Sequence, residues 1–183
     1  ETGLIEDARQ VPSPNCDERP TPPGTSEIDT LIIHAISLPP GKFGGDAVEE
    51  FFCNRLNHGQ HPFYKEIEGV TVSAHLLIRR NGELVQFVPL HLRAWHAGES
   101  VCRGKKNVND FSIGVELEGS DATPFEDAQY ERLVEVTRLL DATFEKLTLQ
   151  NIYGHHEVAP ERKTDPGPYF DWQRYRGLCQ QPP

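Results

Sequence analysis

Strands and helices are interleaved along this chain of 183 residues, which predicts an α/β domain. Three stretches carry that prediction. Residues 30–37 form a continuous apolar run around a single His34, the pattern of a strand buried on both faces. Residues 111–119 alternate, with Ile113, Val115 and Leu117 on one face and Ser112, Gly114, Glu116 and Glu118 on the other. From Thr123 to about Phe144, the apolar stripe Tyr130, Leu133, Val134, Thr137, Leu140 and Phe144 has helical spacing.

The remaining elements follow in order. Residues 1–27 are polar and proline-rich, and are expected to wrap the surface in extended conformation. After the first strand comes a glycine-rich loop at 39–45. It lacks the Gly-Lys-Ser/Thr ending of a phosphate cradle and reads as a connection. A short helix is expected from about Ala47 to Leu56, packing Val48, Phe51 and Phe52 on the sheet. Residues 72–88 read as a hairpin turning at Asn81-Gly82, with His75 a packing or supporting residue. Thr123-Pro124-Phe125-Glu126 has the form of a capping box opening the long helix. A strand at 151–154 precedes a polar loop at 154–168. A last short helix starts near Asp171, and residues 180–183 form a fraying tail. The expected organisation is therefore one domain over 28–179 with a segment on either side.

Composition narrows the function classes. At 37% hydrophobic and 25% charged residues the chain is globular, and its net charge of -10 excludes the basic face that nucleic acid or anionic lipid requires. No run is long or apolar enough to span a bilayer. Cys16, Cys53, Cys102 and Cys179 form no Cys-x-x-Cys pair, so reduced thiols and a cytoplasmic setting are expected. The sequence opens at Glu1 without a methionine, which leaves prior removal of an export signal open.

Candidate chemistry concentrates in residues 154–168, which hold two imidazoles, three acids, Arg162 and Lys163 before a proline-glycine turn. Zinc takes imidazole and carboxylate donors, and a catalytic site uses three of them. His155 and Asp165 are candidate ligands, with His156 as an alternative to His155. Lys163, two residues before Asp165, shares its side in extended backbone. Spacing alone favours an exposed salt-linked loop over a metal site. His34 reads as either a core histidine or a third ligand. Glu116 is either part of a solvated face or a functional acid with room beside Gly114 for a ligand. Trp95-His96 suits the wall of a sugar or peptide cleft, a buried Trp being the alternative.

Residues 31–40, 72–88, Ala94-Trp95-His96-Ala97-Gly98, 109–119 and above all Ala159-Pro160-Glu161-Arg162-Lys163-Thr164-Asp165-Pro166-Gly167-Pro168 resemble the type 2 N-acetylmuramoyl-L-alanine amidase family. The resemblance is strongest to its 1,6-anhydro-muropeptide branch in peptidoglycan recycling, and the family is related to phage amidases and peptidoglycan recognition proteins. It extends from about residue 11 to 178. It implies a central mixed β-sheet flanked by helices and a zinc ion on His34, His155 and Asp165. It assigns catalytic roles to Glu116 and Lys163. The implied reaction hydrolyses the amide between N-acetylmuramic acid and L-alanine of muropeptides, in a cytoplasmic monomer with no nucleic-acid or membrane partner. Trp95, His96 and Arg162 are expected at the substrate wall. Two positions depart from the pattern: Ala35 stands where the family usually has Asn, and Thr71 where it commonly has Arg, which bears on the grip on the stem peptide. The competing functions are a non-catalytic peptidoglycan-binding module and an exported amidase acting on intact wall.

Overall fold

The computed structural model describes residues 2–20 and 27–182, so the part of the N-terminal reading that falls on 21–26 lies outside the described residues. The chain begins with two short strands, β1 (Arg9–Gln10) and β2 (Cys16–Asp17). The long strand β3 (Thr30–Ile36) and helices α1 (Ala47–Phe52) and α2 (Pro62–Glu66) come next. A hairpin of β4 (Leu76–Ile78) and β5 (Leu84–Gln86) leads to β6 (Arg93–Ala94), the ribbon β7 (Val101–Cys102) and β8 (Lys105–Lys106), and β9 (Ser112–Glu118). Helix α3 (Asp127–Thr143), β10 (Ile152–Gly154), the single turn α4 (His155–Val158) and α5 (Trp172–Gln180) follow.

The two stretches read as the main strands are neighbours at the middle of one six-stranded sheet, in the order β1-β5-β4-β9-β3-β10. Only the β4–β5 pairing is antiparallel, so the sheet is mixed as expected. All seven residues of β9 are buried, which rules out a solvated face there. One face of the sheet, through Leu31, Ile33, Val115 and Leu117, packs on Leu133 and Leu140 of α3 and Tyr175 of α5. On the other face Phe51 and Phe52 of α1 cover Leu77, Val85 and Phe87.

Local expectations were met unevenly. Helix α1 ends at Phe52 rather than near Leu56, because Asn54 takes a left-handed φ of 57° and the Arg55 N–H closes back on the Glu50 carbonyl. The hairpin forms, with the Gly82 N–H donating to the Arg79 carbonyl and Gly82 at φ 84° supplying the bulge that resets the strands. Helix α3 starts later than the Thr123 box: Glu126 is its N-cap, and its N–H donates to Gln129 Oε1 at 3.1 Å. Thr123 instead bridges to Ser120, while Phe125 is buried against Phe170. Burying that ring holds residues 123–125 out of the helix. The proline-rich start does more than wrap the surface: β1 joins the sheet edge and Arg19 is buried, donating to the carbonyls of Leu90, His91, Asn109 and Ser112.

Candidate active site

Strand register assembles the site. His34 pairs with Glu116 across β3 and β9, and Gly154 pairs with Ile33 across β10 and β3. His155, one residue beyond Gly154, therefore comes level with His34. Side-by-side residues of parallel strands point to the same face, so these three side chains meet at the carboxyl ends of the strands. The sequence reads 154–168 as one shaped loop. Its first residues instead form the turn α4, and the loop then folds back so that the His156 N–H donates to the Asp165 carbonyl at 3.0 Å. This return brings the Asp165 carboxylate to the two imidazoles. His156, the alternative ligand, turns its Nδ1 to that same Asp165 carbonyl at 3.1 Å and braces the loop.

His34 Nδ1 lies 3.0 Å from His155 Nδ1 and 3.2 Å from Asp165 Oδ2, and His155 Nδ1 lies 3.1 Å from the same oxygen. The near-equilateral triangle matches the ligand spacing of zinc, since a tetrahedron with bonds of about 2.0 Å has edges of about 3.3 Å. Donor chemistry agrees. His155 Nε2 sits 3.2 Å from the Ala97 carbonyl, which can only accept, so its proton is on Nε2 and its Nδ1 presents a lone pair. Burial pushes His34 down to about 4, the nearby Asp165 opposing, which keeps the ring neutral and able to ligate. Two imidazole nitrogens and a carboxylate oxygen this close together form a donor set that could hold a metal ion.

Glu116 lies beside this triangle, 8% exposed, and its Oε2 has no hydrogen-bond partner among the described residues. Burial raises its carboxyl well above the ordinary range. Asp165 adds to the rise and Lys163 works against it. An unpartnered buried carboxyl of raised pKa is suited to taking up and returning a proton. Lys163 is exposed and lines the same cavity of about 990 Å³, whose lining also includes the apolar Leu38, Phe63, Ile67 and Val70. Ala35 is on the cavity wall; Thr71 is exposed between the wall residues Val70 and Val72.

The expected substrate-wall residues are placed differently from one another. Trp95 is turned away from this cavity, its indole Nε1–H donating to Asp17 Oδ1 at 3.1 Å at the β2–β6 corner. Arg162 borders the cavity, but its guanidinium ties down residues 97–99 through the Ala97 and Glu99 carbonyls. His96 borders the cavity but is largely buried, its ring held between His34 Nε2 at 2.9 Å and Ser112 Oγ at 3.1 Å. It also fills the space beside Gly114 that the sequence reading reserved for a ligand: a Cβ there would stand 2.4 Å from the ring. Ser112 and Asn109, which support His96, lie in the 109–119 block that resembles the family, but nothing in the sequence singled them out within it.

Residues 24–168 match the sequence profile of N-acetylmuramoyl-L-alanine amidases. The chain is 51% identical over 178 residues to the 1,6-anhydro-N-acetylmuramyl-L-alanine amidase AmpD of Enterobacter cloacae, covering 97% of this chain and 93% of that protein. To the AmpD of Escherichia coli K12 it is 50% identical over 179 residues, 97% and 95% being covered. A crystal structure of a selenomethionine AmpD derivative superposes with a TM-score of 0.92 at 48% identity, covering 97% of both chains. The E. coli amidase AmiD, solved in complex with anhydro-N-acetylmuramic acid-L-Ala-D-gamma-Glu-L-Lys, matches at a TM-score of 0.61 and 28% identity over 90% of this chain and 65% of that one. The chain belongs to the N-acetylmuramoyl-L-alanine amidase family, and AmpD enzymes are among its near-full-length relatives.

Proposed function

We propose that this protein is a zinc-dependent amidase that hydrolyses the bond between the lactyl carbonyl of 1,6-anhydro-N-acetylmuramic acid and L-alanine in soluble muropeptides, as a cytoplasmic monomer serving peptidoglycan recycling. The reading rests above all on the triangle of His34 Nδ1, His155 Nδ1 and Asp165 Oδ2 beside the unpartnered Glu116 Oε2. The names of the AmpD relatives and the muropeptide bound to AmiD support the substrate class.

Zinc held by His34, His155 and Asp165 would supply Lewis acidity to the scissile carbonyl and lower the pKa of an attacking water. Glu116 accepts the water's proton at Oε2 and returns it to the departing alanine nitrogen, a balanced transfer with no external acid. Lys163 brings its ammonium into the cavity where charge develops on the carbonyl oxygen. The apolar wall around Phe63 and Val70 offers a surface for the uncharged faces of the substrate.

The test is mass spectrometry of the products from a soluble anhydro-muropeptide and from wall polymer, each with and without a chelator. Release of free stem peptide from the soluble substrate, abolished by the chelator, is the expected result. Equal cleavage with the metal removed would overturn the zinc assignment. Preference for the polymer would favour a wall-degrading enzyme, and no cleavage of either a binding module.

A further inference from the structure

The hydrogen bonds behind the triangle fix the proton positions of His34, His96 and His155. The Val108 carbonyl can only accept, and it lies 2.6 Å from Ser112 Oγ, so the single hydroxyl proton of Ser112 points to it. Ser112 Oγ then meets His96 Nε2 at 3.1 Å as an acceptor, which puts the His96 proton on Nε2. A neutral imidazole carries one N–H, and the buried His96 ring is neutral because its two nitrogens face only His34 and the Ser112 hydroxyl, with no carboxylate there to pair a charge. His96 Nδ1 is therefore a lone pair, and at 2.9 Å it accepts the Nε2–H of His34. What remains on His34 is a lone pair at Nδ1, the atom that faces His155 and Asp165.

The adjoining residue does the same for the other imidazole, since the Ala97 carbonyl takes the His155 Nε2–H. Both residues are clamped by one group: the N–H groups of His96 and Ala97 donate to Asn109 Oδ1 at 3.2 and 2.8 Å. Gly114 completes the arrangement, because only a residue without a Cβ leaves the His96 ring its place.

We propose that the His96-Ala97 pair, set by Ser112 and Asn109, is a positioning device that locks both ligand histidines in the tautomer with a lone pair on Nδ1. The assignment rests on the reading of His34 and His155 as metal ligands. His96 and Ser112 are then positioning residues, acting through His34. Removing the Ser112 hydroxyl lets the His96 proton move to Nδ1. There it opposes the His34 Nε2–H and drives the His34 proton onto the ligating nitrogen.

The test uses the full chain stripped of metal and titrated with zinc alone against a competing chelating dye, alongside two-dimensional NMR of protein labelled with ¹⁵N-histidine. The zinc-loaded wild type is expected to show His34, His96 and His155 each protonated on Nε2. Ser112→Ala is expected to weaken zinc about 10- to 100-fold, the range seen when the hydrogen-bond partner of a ligand is lost, and to shift the His96 proton to Nδ1. His96→Leu weakens zinc as much. His96→Asn, whose amide oxygen stands where Nδ1 stood, recovers much of the loss. Wild-type affinity in both Ser112→Ala and His96→Leu, or a wild-type His96 protonated on Nδ1, overturns the relay while leaving the metal site intact. A wild type that binds no zinc, or a His34→Ala variant that binds it equally well, overturns the ligand assignment and the relay with it.

Discussion

Gly114→Ala is the smallest change that reaches the site from within the sheet. Gly114 has no positive φ, so alanine suits its backbone and the effect is purely steric. The new methyl would stand 2.4 Å from His96 Cγ, 2.6 Å from Nδ1 and 2.7 Å from Cδ2. Carbon contacts settle at about 3.5–4.0 Å, so the ring must retreat by roughly 1 Å. His96 is held at 2.9 Å from His34 and 3.1 Å from Ser112, and a retreat of that size takes one or both bonds beyond hydrogen-bonding range. Overpacking of this kind costs about 1–3 kcal/mol of stability. The disturbed ligand orientation should weaken zinc by about 10- to 100-fold. Urea unfolding of the metal-free protein measures the first quantity and dye-competition titration the second. Wild-type values in both would refute the packing argument.

Other expectations concern separate parts of the account. Glu116→Ala should keep zinc bound and reduce turnover by about 10²–10⁴-fold, read by isothermal titration and product release; normal turnover would remove Glu116 from the reaction. Asp165→Asn replaces a charged donor with an amide and should lower zinc affinity at least about tenfold with the fold retained by circular dichroism; unchanged affinity would remove Asp165 from the donor set. His75 is fully buried, and burial, with the Arg19 guanidinium next in effect, lowers its pKa to about 3. Between pH 6.5 and 3 the unfolded chain therefore binds a proton that the folded chain refuses, so His75 makes stability fall as the pH drops through that window. His75→Asn, which keeps an acceptor for the Gly114 N–H, should flatten the dependence by up to about 1.4 kcal/mol per pH unit, read by urea unfolding at pH 7 and pH 5. An unchanged slope would mean that His75 is protonated in the native state.

Strand positions were legible because burial leaves a pattern: the apolar run at 30–37 and the alternation at 111–119 became β3 and β9. The chemistry of 154–168 was legible because so many ionisable groups do not gather in a plain connection. The choice between His155 and His156 was not, since it depends on α4 beginning at His155 and on the Asp165 carbonyl engaging His156. Gly114 pointed to an empty place, but only the fold shows that His96, 18 positions earlier in the chain, occupies it. The same limit applies to Thr123-Pro124-Phe125-Glu126, where local capping yielded to the burial of Phe125, and to Arg19, whose carbonyl partners lie beyond position 89. Local pattern records which residues are buried; which side chains meet is decided by strand register and by loops returning from a distance.

X-ray absorption at the zinc edge of the purified, zinc-loaded protein tests the central claim most directly. The account predicts one zinc per chain, bound by two imidazole nitrogens and carboxylate oxygen with no sulfur, the signal collapsing in His34→Ala and Asp165→Asn. Substoichiometric zinc, or sulfur ligation from any of the four cysteines, would contradict it.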